Sequence, residues 1–427
     1  MSLQELVAEV YRNFQQYSQG YQVVLLHPES RLRSMLVAHL LNETPKPIYY
    51  YAIGADDVSL VSFIDGIVHD LASQHLTFGR NVYQTHWRDY ANLDLESVAK
   101  AFAADLDEMS SEPFMLIVDD FDASDEADLI QVFWERVIRY MPPQCQLVIN
   151  GRTMPRLPWV SLIARHQAII LKDNEVVTEN FNRAPRTRTR DELDAFGLST
   201  GEVTLNGKSI TNWEGHLPRL LLFYILDRPV ATRDEICRTF WPELNGEQAV
   251  NVFHVTKRRL HKAMNYDVLV HQDGYYHINT DAAVYYDVER FTEFLVKGRF
   301  AANDEEALEY WQSAVSAYTG DFLQGHTEYW VYERREDFLM GFVEATRGIA
   351  HIRLSEGREE LALNLLLKAA HEVPHQESLH RDIIELYTKL GRRGEAAAHY
   401  KQLVEMLKQE GREPELATQK LFAEIMD

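Results

Sequence analysis

The chain has 427 residues, of which 46% are hydrophobic, with two cysteines and a formal net charge of -22. This length predicts two to four domains, and the hydrophobic content is typical of packed cores rather than of a disordered chain. Two cysteines exclude a disulfide framework and predict a reducing, cytoplasmic setting, while the negative charge excludes a general nucleic-acid binder.

The charge is unevenly distributed along the chain. Residues 1–180 carry 13 Lys and Arg against 25 Asp and Glu, residues 181–280 carry 13 against 12, and residues 281–427 carry 17 against 28. Because acidic flanks repel nucleic acid, contact with it is expected only through the middle segment. No apolar run has the length of a transmembrane helix, and the N-terminal sequence lacks the basic residues of a signal peptide, so no membrane partner is expected.

Residues 1–180 alternate predicted helices with apolar strands, which is the pattern of a parallel α/β domain. The predicted strands are 21–26, 48–52, 114–118, 146–150 and 168–171. The predicted helices are the N-terminal segment and residues 35–41, 59–71, 95–109 and 126–139.

The segment after the first strand lies where a phosphate-binding loop would be expected. Aligned with G-x-x-x-x-G-K-[ST], His27 and Leu32 replace the glycines, Arg33 replaces the lysine, and Ser34 matches. The glycines let backbone amides wrap around phosphate, and the lysine reaches the outer phosphates as a compact charge. The sequence therefore predicts a P-loop-like fold whose loop has lost the groups that bind the phosphates of a nucleotide.

Asp119 and Asp120 follow the third predicted strand, where a Walker B strand carries its acids, and an Arg-x-x-Pro segment begins at Arg152 after the next strand. In this order the region resembles the nucleotide-binding domain of the STAND ATPases, in particular the large LuxR-type regulators. The departures at the loop predict a degenerate domain without a cofactor, in which both acids are a relic or the polar ends of a buried strand. The vestigial nucleotide site comprises Arg33, Ser34, Asp119, Asp120 and Arg152.

Residues 181–190 are a predicted basic linker, either simply solvated or touching phosphate as an arm. Residues 191–281 then predict short strands, three helices and a final β-hairpin. The strands are 193–198, 202–205 and 209–210; the first helix is 217–226; the second follows a Thr232–Glu235 capping box; the hairpin joins 268–271 to 275–278.

The third helix, around residues 251–264, is amphipathic. Its apolar face carries Ala249, Val252, Phe253, Thr256, Leu260 and Ala263. Its opposite face carries Asn251, His254, Val255, Arg258 and Lys262. Cations and amides without acids suit phosphates and base edges, although a merely solvated basic face is the alternative.

This order of strands, three helices and hairpin resembles the OmpR-type winged helix, in the version found in the actinomycete antibiotic regulatory proteins. The resemblance rests on Phe196-Gly197, Arg219–Leu226, Thr232–Ile236, Phe240-Trp241-Pro242, Asn251–Leu260 and Gly274-Tyr275. It implies that the third helix enters the major groove of double-stranded DNA and that the hairpin is the wing. A winged helix that contacts only protein is the alternative. The expected DNA-binding residues are Asn251, His254, Lys257, Arg258, Arg259, Lys262, His271 and Tyr275.

Residues 282–427 show helical periodicity, and no strand is predicted after Asp281. Gly357-Arg-x-x-x-Ala362 recurs 34 positions later as Gly391-Arg-x-x-x-Ala396, which is the period of a tetratricopeptide repeat. Together with Tyr318-x-Gly320-Asp321-Phe322-Leu323 and Trp330-x-x-x-Arg334-Arg335, the segment resembles the bacterial transcriptional activator domain. The resemblance implies contacts with RNA polymerase, another protein or a second copy of the chain.

The fold class predicted is multidomain: a P-loop-like parallel sheet domain, a winged helix and an all-α repeat domain. The predicted function is a sequence-specific DNA-binding transcriptional regulator, expected to activate and not to be an enzyme. The alternatives are a signalling ATPase with an unusual nucleotide loop and a protein-binding scaffold. No H-E-x-x-H, G-x-S-x-G or paired-cysteine motif is present, so no metal site is predicted.

Overall fold

The computed structural model describes residues 3–88, 93–182, 191–279 and 281–426. The chain divides into two compact units, one of Met1–Ala195 with Gly201–Tyr286 and the other of Phe196–Thr200 with Asp287–Asp427. Residues 183–190 of the predicted basic linker lie outside the described residues. Among the residues described, no helix combines the length and the apolar character needed to cross a membrane.

The first unit begins with the sheet region, residues 3–182. Its strands are β1 (Val23–Leu26), β2 (Ile48–Ala52), β3 (Phe114–Asp119), β4 (Cys145–Ile149), β5 (Ala168–Lys172) and β6 (Glu175–Val176). They form one sheet in the order β2-β3-β4-β1-β5-β6, parallel except for the antiparallel β5–β6 pair. All of β1 and the first five residues of β3 are buried, which explains their unbroken apolar sequence.

Helix α1 (Leu3–Tyr17) precedes the first strand, and the strands are connected by α2 (Arg33–Glu43), α3 (Leu60–Gln74), α4 (Leu95–Met109), α5 (Asp128–Tyr140) and α6 (Trp159–Ala164). Edge-to-face aromatic contacts between Phe63, Phe102, Phe133 and Trp134 join α3, α4 and α5. The predicted parallel α/β pattern is confirmed. The short α6 and β6 were not expected, because each is too short to show a period in the sequence.

The three-helix region, residues 201–279, completes the first unit together with two flanking strands. Its helices are α7 (Leu217–Leu226), α8 (Arg233–Phe240) and α9 (Gly246–Met264). Its strands are β8 (Glu202–Leu205), β9 (Lys208–Ser209), β10 (Ala231–Thr232), β11 (Leu269–Gln272) and β12 (Tyr275–Ile278). Strands β10, β12 and β11 form a sheet in that order, with β11 and β12 as an antiparallel hairpin.

The flanking strands are β7 (Asp191–Phe196) and β13 (Ala282–Tyr286), which pair in parallel in a four-stranded sheet ordered β13-β7-β8-β9. The expectation that no strand follows Asp281 is therefore wrong. The segment Ala282–Tyr286 lacks an alternating pattern, and its pairing with a strand about ninety residues earlier in the chain is not visible locally.

The second unit, here called the helical unit, contains helices of 11 to 27 residues. They are α10 (Asp287–Arg299), α11 (Asp304–Ala317), α12 (Tyr329–Ser355), α13 (Glu359–Glu372), α14 (Glu377–Lys389), α15 (Arg393–Gln409) and α16 (Leu416–Met426). Gly357 and Gly391, with φ of 70° and 71°, occupy equivalent left-handed turns after α12 and α14. The predicted repeat thus has matching turn geometry at both glycines.

Candidate nucleic-acid interface

Helix α9 is fixed by local signals at both ends. The Asn245 side chain caps its N-terminus by accepting a hydrogen bond from the Gln248 amide, and Asn265 ends it in a left-handed conformation with φ of 49°. Its apolar face packs inward through Ala249, Phe253, Thr256 and Leu260, as predicted, and Met264 extends the buried row. Val252 and Ala263 are half-buried at the border of this face.

The opposite face of α9 is exposed. Asn251, His254, Val255, Arg258 and Lys262 all lie on it. Arg258 has no ion-pair or hydrogen-bond partner among the described residues, so its guanidinium group is available to a ligand. Burying the other face of α9 therefore turns a run of amides and cations toward solvent.

Two cations near the C-terminal end of α9 are already engaged by Glu214, which precedes α7. Lys262 Nζ donates to the Glu214 carboxylate, and Arg259 Nη1 donates to the Glu214 carbonyl at 3.4 Å. Hydrogen bonding to Lys262 lowers the pKa of the exposed Glu214 carboxyl, which stays ionised. No local pattern indicates this contact, because Glu214 lies 45 and 48 positions from its partners.

The remaining predicted contacts lie on or near the β11–β12 hairpin. Lys257 is half-buried, with its ammonium group 5.4 Å from the centre of the Tyr276 ring. Tyr276 also packs edge-on against Phe253, which fixes the hairpin against α9. His271 is exposed and lies beside the same ring.

Tyr275 differs from the other predicted contacts. It is half-buried, and its hydroxyl group donates to the Asp125 carbonyl oxygen of the sheet region at 3.0 Å. The Arg156 guanidinium group lies 5.4 Å from the centre of its ring. Phosphate contact through the Tyr275 hydroxyl group would require this intramolecular bond to break.

Arg156 is the centre of a buried contact between the sheet region and the three-helix region. It follows β4 and is only 3% exposed. Its Nε donates to Glu235 Oε1 and its Nη2 to Asp128 Oδ1, both at 2.9 Å. Thr232 Oγ1 and Arg238 Nη2 of α8 reach the second Asp128 oxygen at 2.7 and 3.0 Å.

A second arginine strengthens this contact from the opposite direction. Arg228, which follows α7, donates through Nη2 to both carboxylate oxygens of Glu135 at 3.0 and 3.1 Å, and through Nη1 to the Arg156 carbonyl. All three residues are buried. Each arginine donates charge-assisted hydrogen bonds across the contact, Arg156 to Glu235 and Arg228 to Glu135, so the two regions are held in one arrangement.

The Thr232–Glu235 capping box is present with both of its hydrogen bonds. Glu235 also accepts from Arg156, a role that the sequence did not indicate. Burial raises the pKa of the Glu235 carboxyl, while Arg156 opposes that shift. The same glutamate therefore caps α8 and ties it to the sheet region.

The predicted vestigial nucleotide site is occupied by groups of the chain itself. Arg33 turns back and donates through Nη1 to the Pro28 and Ser30 carbonyl oxygens, both at 2.9 Å. The Arg31 amide donates to Asp173 Oδ1 at 2.8 Å, so a carboxylate takes one amide of the loop. Ser34 is exposed in the first turn of α2.

One small cavity adjoins this loop. The adjoining cavity has a volume of about 10 Å³ and is lined mainly by apolar side chains, including Val10, Leu26 and Leu36. A cavity of this size holds roughly one water molecule, whereas small-molecule sites typically enclose about 300 Å³ or more.

The acids at the end of β3 are also engaged. Asp119 accepts from Asn150 Nδ2 at 2.7 Å, from the Tyr50 hydroxyl group at 3.0 Å and from the Asp120 amide at 2.8 Å. Burial, together with the neighbouring Asp119, raises the pKa of Tyr50 to about 12, which keeps its hydroxyl group a donor. Tyr50 lies in β2 and Asn150 follows β4, the strands on either side of β3, and neither side chain was predicted from the sequence.

The last two residues of the predicted nucleotide site are Asp120 and Arg152, and both are exposed. Asp120 is exposed and left-handed, with φ of 49°. The exposed Arg152 side chain donates through Nε to Asp122 Oδ2 at 3.1 Å. The structure thus shows a strand–loop–helix framework in which most polar groups of the predicted nucleotide site already have partners. In the described residues, no three His, Cys, Asp or Glu side chains gather as a metal site.

The helical unit contains the motifs that suggested an activator domain. Phe322 is fully buried, and Arg335 donates through Nε to its carbonyl oxygen at 2.8 Å and through Nη2 to those of Leu323 and His326. Ala362, Leu366 and Ala369 are buried in the core between α12, α13 and α14. Tyr400 stacks on Phe422 with ring centres 3.8 Å apart, so it packs within the unit.

Comparison with known proteins agrees with this assignment at the C-terminal end. Residues 286–426 match the family model of the bacterial transcriptional activator domain. No curated protein matches the chain.

Two solved structures show similarity to larger parts of the chain. One is Mycobacterium tuberculosis EmbR in complex with a low-affinity phosphopeptide, with 20% identity and a TM-score of 0.45 over 56% of this chain. This chain covers 65% of that EmbR chain, slightly less than two thirds of its length. The other is a Walker-type ATPase of Pyrococcus abyssi, with 10% identity and a TM-score of 0.24 over 98% of this chain and 87% of that one.

The chain is therefore a multidomain protein with a parallel α/β sheet region and, over residues 286–426, a bacterial transcriptional activator domain.

Proposed function

We propose that the protein is a sequence-specific DNA-binding regulator of transcription that acts as an activator. In this proposal the three-helix region is a winged helix, α9 enters the major groove and the β11–β12 hairpin is the wing. The observation that carries the proposal is the exposed face of α9, on which Asn251, His254 and Arg258 lie side by side without an acid between them. The match to an activator domain supports a role in transcription.

The contacts divide by chemistry. Asn251 and Arg258 present planar groups with two hydrogen-bonding atoms, which suit the edges of adenine and guanine, and His254 lies between them. In this proposal Lys257, Arg259, Lys262 and His271 contact phosphate, which orients a protein on DNA without reading its sequence. For Arg259 and Lys262 this contact must compete with Glu214.

The experiment is a gel shift of the full chain against duplex fragments selected from the host genome. Arg258→Ala is expected to weaken specific binding about tenfold or more, since a two-point arginine–base contact contributes roughly 1–3 kcal/mol. Arg393→Ala, at an exposed arginine of α15, removes the same charge and should leave binding unchanged. Normal binding by Arg258→Ala would refute the assignment of α9 as the recognition helix.

For the sheet region, we propose that it does not hydrolyse ATP and serves as a structural partner of the winged helix. The support is the loop chemistry: Arg33 donates to loop carbonyl oxygens and the Arg31 amide donates to Asp173, so both of these donors already have partners within the chain. Arg33→Ala should accordingly leave DNA binding unchanged. Stoichiometric, saturable binding in a titration with labelled ATP and magnesium would instead support the signalling ATPase.

For the helical unit, we propose a protein partner, either RNA polymerase or a second copy of the chain. Repeats of paired helices bury one face against their neighbours and leave another for binding. Crosslinking of the DNA-bound protein with and without RNA polymerase separates the two partners, and the absence of both products would oppose this part of the proposal.

A further inference from the structure

Val255 is an apolar side chain at the centre of the polar face of α9. It is 43% exposed, and no other large hydrophobic side chain is so exposed between residues 201 and 279, a range that the structure describes in full. Single exposed apolar residues are common on protein surfaces, so exposure alone indicates nothing. The position of Val255 within the exposed face is what carries meaning.

The helix geometry places Val255 between the groups proposed to read bases. Asn251, Val255, Arg258 and Lys262 are separated by four, three and four residues, so they form one stripe along the helix, with His254 beside it. A side chain in the middle of such a stripe contacts the same surface as the side chains on either side of it. If Asn251 and Arg258 reach the floor of a groove, then Val255 reaches it as well.

Helix stability does not explain a valine at this position. A β-branched side chain is stiff in a helix, and valine is a weaker helix former than arginine, lysine or glutamine. The Val255 side chain also makes no hydrogen bond, and 43% of the residue remains exposed. A long polar side chain would suit a solvated helix face better.

The neighbouring cations indicate which part of α9 is free to contact a ligand. Arg259 and Lys262 are engaged by Glu214, whereas Asn251, His254 and Arg258 have no such partner among the described residues. The unengaged surface is therefore the segment from Asn251 to Arg258. Val255 is the apolar member of that segment.

We propose that Val255 contacts the C5-methyl group of a thymine and so favours an A·T or T·A pair at one position of the DNA site. The major groove presents one apolar group, the thymine methyl, among its donors and acceptors, and an apolar side chain is the matching contact. This inference rests on the proposed DNA-binding function and adds a specificity-determining residue to it.

The test begins with selection from a random duplex library by the full-length protein, which defines a preferred site. Each thymine of that site is then replaced singly by uracil, which removes only the methyl group. We expect one substitution per bound chain to weaken binding about fourfold, the effect of losing contact with a single methyl group. For Val255→Ala, whose shorter side chain has less contact with the base, the difference between the thymine and uracil duplexes should shrink at that position.

The control is Val58→Ala, at a strongly exposed valine of the sheet region. It should keep the full difference between thymine and uracil, which separates the side-chain contact from any effect of uracil on the duplex itself. Val255→Ala should remain folded, because the side chain is exposed and alanine favours helix. Circular dichroism checks this directly.

The outcomes separate the two levels of inference. Failure of the wild-type protein to enrich any sequence would refute DNA recognition, and the thymine contact with it. An enriched site in which no thymine is sensitive to uracil would refute only the contact. An unchanged uracil effect in Val255→Ala would assign the methyl contact to another residue and also refute the proposal.

Discussion

The loop between β1 and α2, residues 27–32, and the exposed face of α9 both carry charged side chains. Those of the loop bind groups of the chain itself, whereas those of α9 face solvent. At the loop, Arg33 donates to loop carbonyls and Asp173 accepts from a loop amide, so charges are matched within the chain. On α9, Arg258 and His254 face solvent. A charged motif therefore indicates a binding site only where the fold leaves its groups without internal partners.

The largest expected effect comes from breaking the internal pairing of the first unit. Arg156→Ala leaves Glu235 and Asp128 without their buried cation, and removing one member of a buried pair typically costs about 3–5 kcal/mol. Urea-induced unfolding followed by tryptophan fluorescence measures this loss in the first unit. Arg152→Ala serves as the matched control, because its ion pair with Asp122 lies at the surface.

An equal, small loss of stability in both arginine variants would contradict the buried contact. Arg156→Met separates packing from charge, since it fills much of the same space without a positive group. It should also destabilise the first unit, because the buried Glu235 carboxylate remains without its cation.

A smaller effect is expected at the point where α9 itself has an internal partner. Glu214→Gln removes the carboxylate that engages Lys262 and Arg259. Both cations then become available to phosphate, so DNA binding should tighten several-fold, and the slope of log K against log salt should steepen by about one for each cation that contacts a phosphate. Fluorescence anisotropy across a salt series measures both quantities.

Glu202→Gln distinguishes local release from general charge. It removes an exposed acid on β8, so it changes net charge equally without touching α9. Equal tightening in the two variants would mean that overall repulsion, not the contact with Glu214, restrains binding.

The smallest effect is expected when pH is lowered, at the loop between β1 and α2. The Nδ1 atom of His27 accepts the Glu29 amide at 3.2 Å, which requires that nitrogen to be unprotonated. Burial lowers the pKa of His27, assisted by Lys172. A lowered histidine pKa means that the folded loop disfavours the proton, so this contribution is present above about pH 6.5 and is lost as pH falls through the lowered value.

Hydrogen exchange at the Glu29 amide, corrected for intrinsic rates, should therefore show protection at pH 7.5 that declines by pH 5. His27→Asn should keep the loop but remove the pH dependence. Equal pH dependence in the variant and the wild type would place the titrating group elsewhere.

Local patterns in the sequence predicted the elements well and the long-range contacts poorly. The buried row of α9 and the capping box of α8 depend on residues within one or two turns, and both are present. The second role of Glu235 depends on Arg156, 79 positions away, and no spacing rule connects them. Strand β13 was missed because its partner β7 supplies the reason for its conformation.

The candidate site shows the same division. The helical period placed Asn251, His254 and Arg258 on one face, and the structure has them there. The periodicity could not show that Tyr275 donates to the sheet region or that Asp173 accepts a loop amide, because both contacts depend on how distant segments pack.

The two buried arginines between the sheet region and the three-helix region have a mechanical consequence. A flexible tether would let the two regions tumble separately in solution, each with its own rotational correlation time. Joined through Arg156 and Arg228, they should reorient together as one larger body. Any surface that α9 approaches must then also accommodate the bulk of residues 3–182, so shape as well as charge limits how closely two copies can lie.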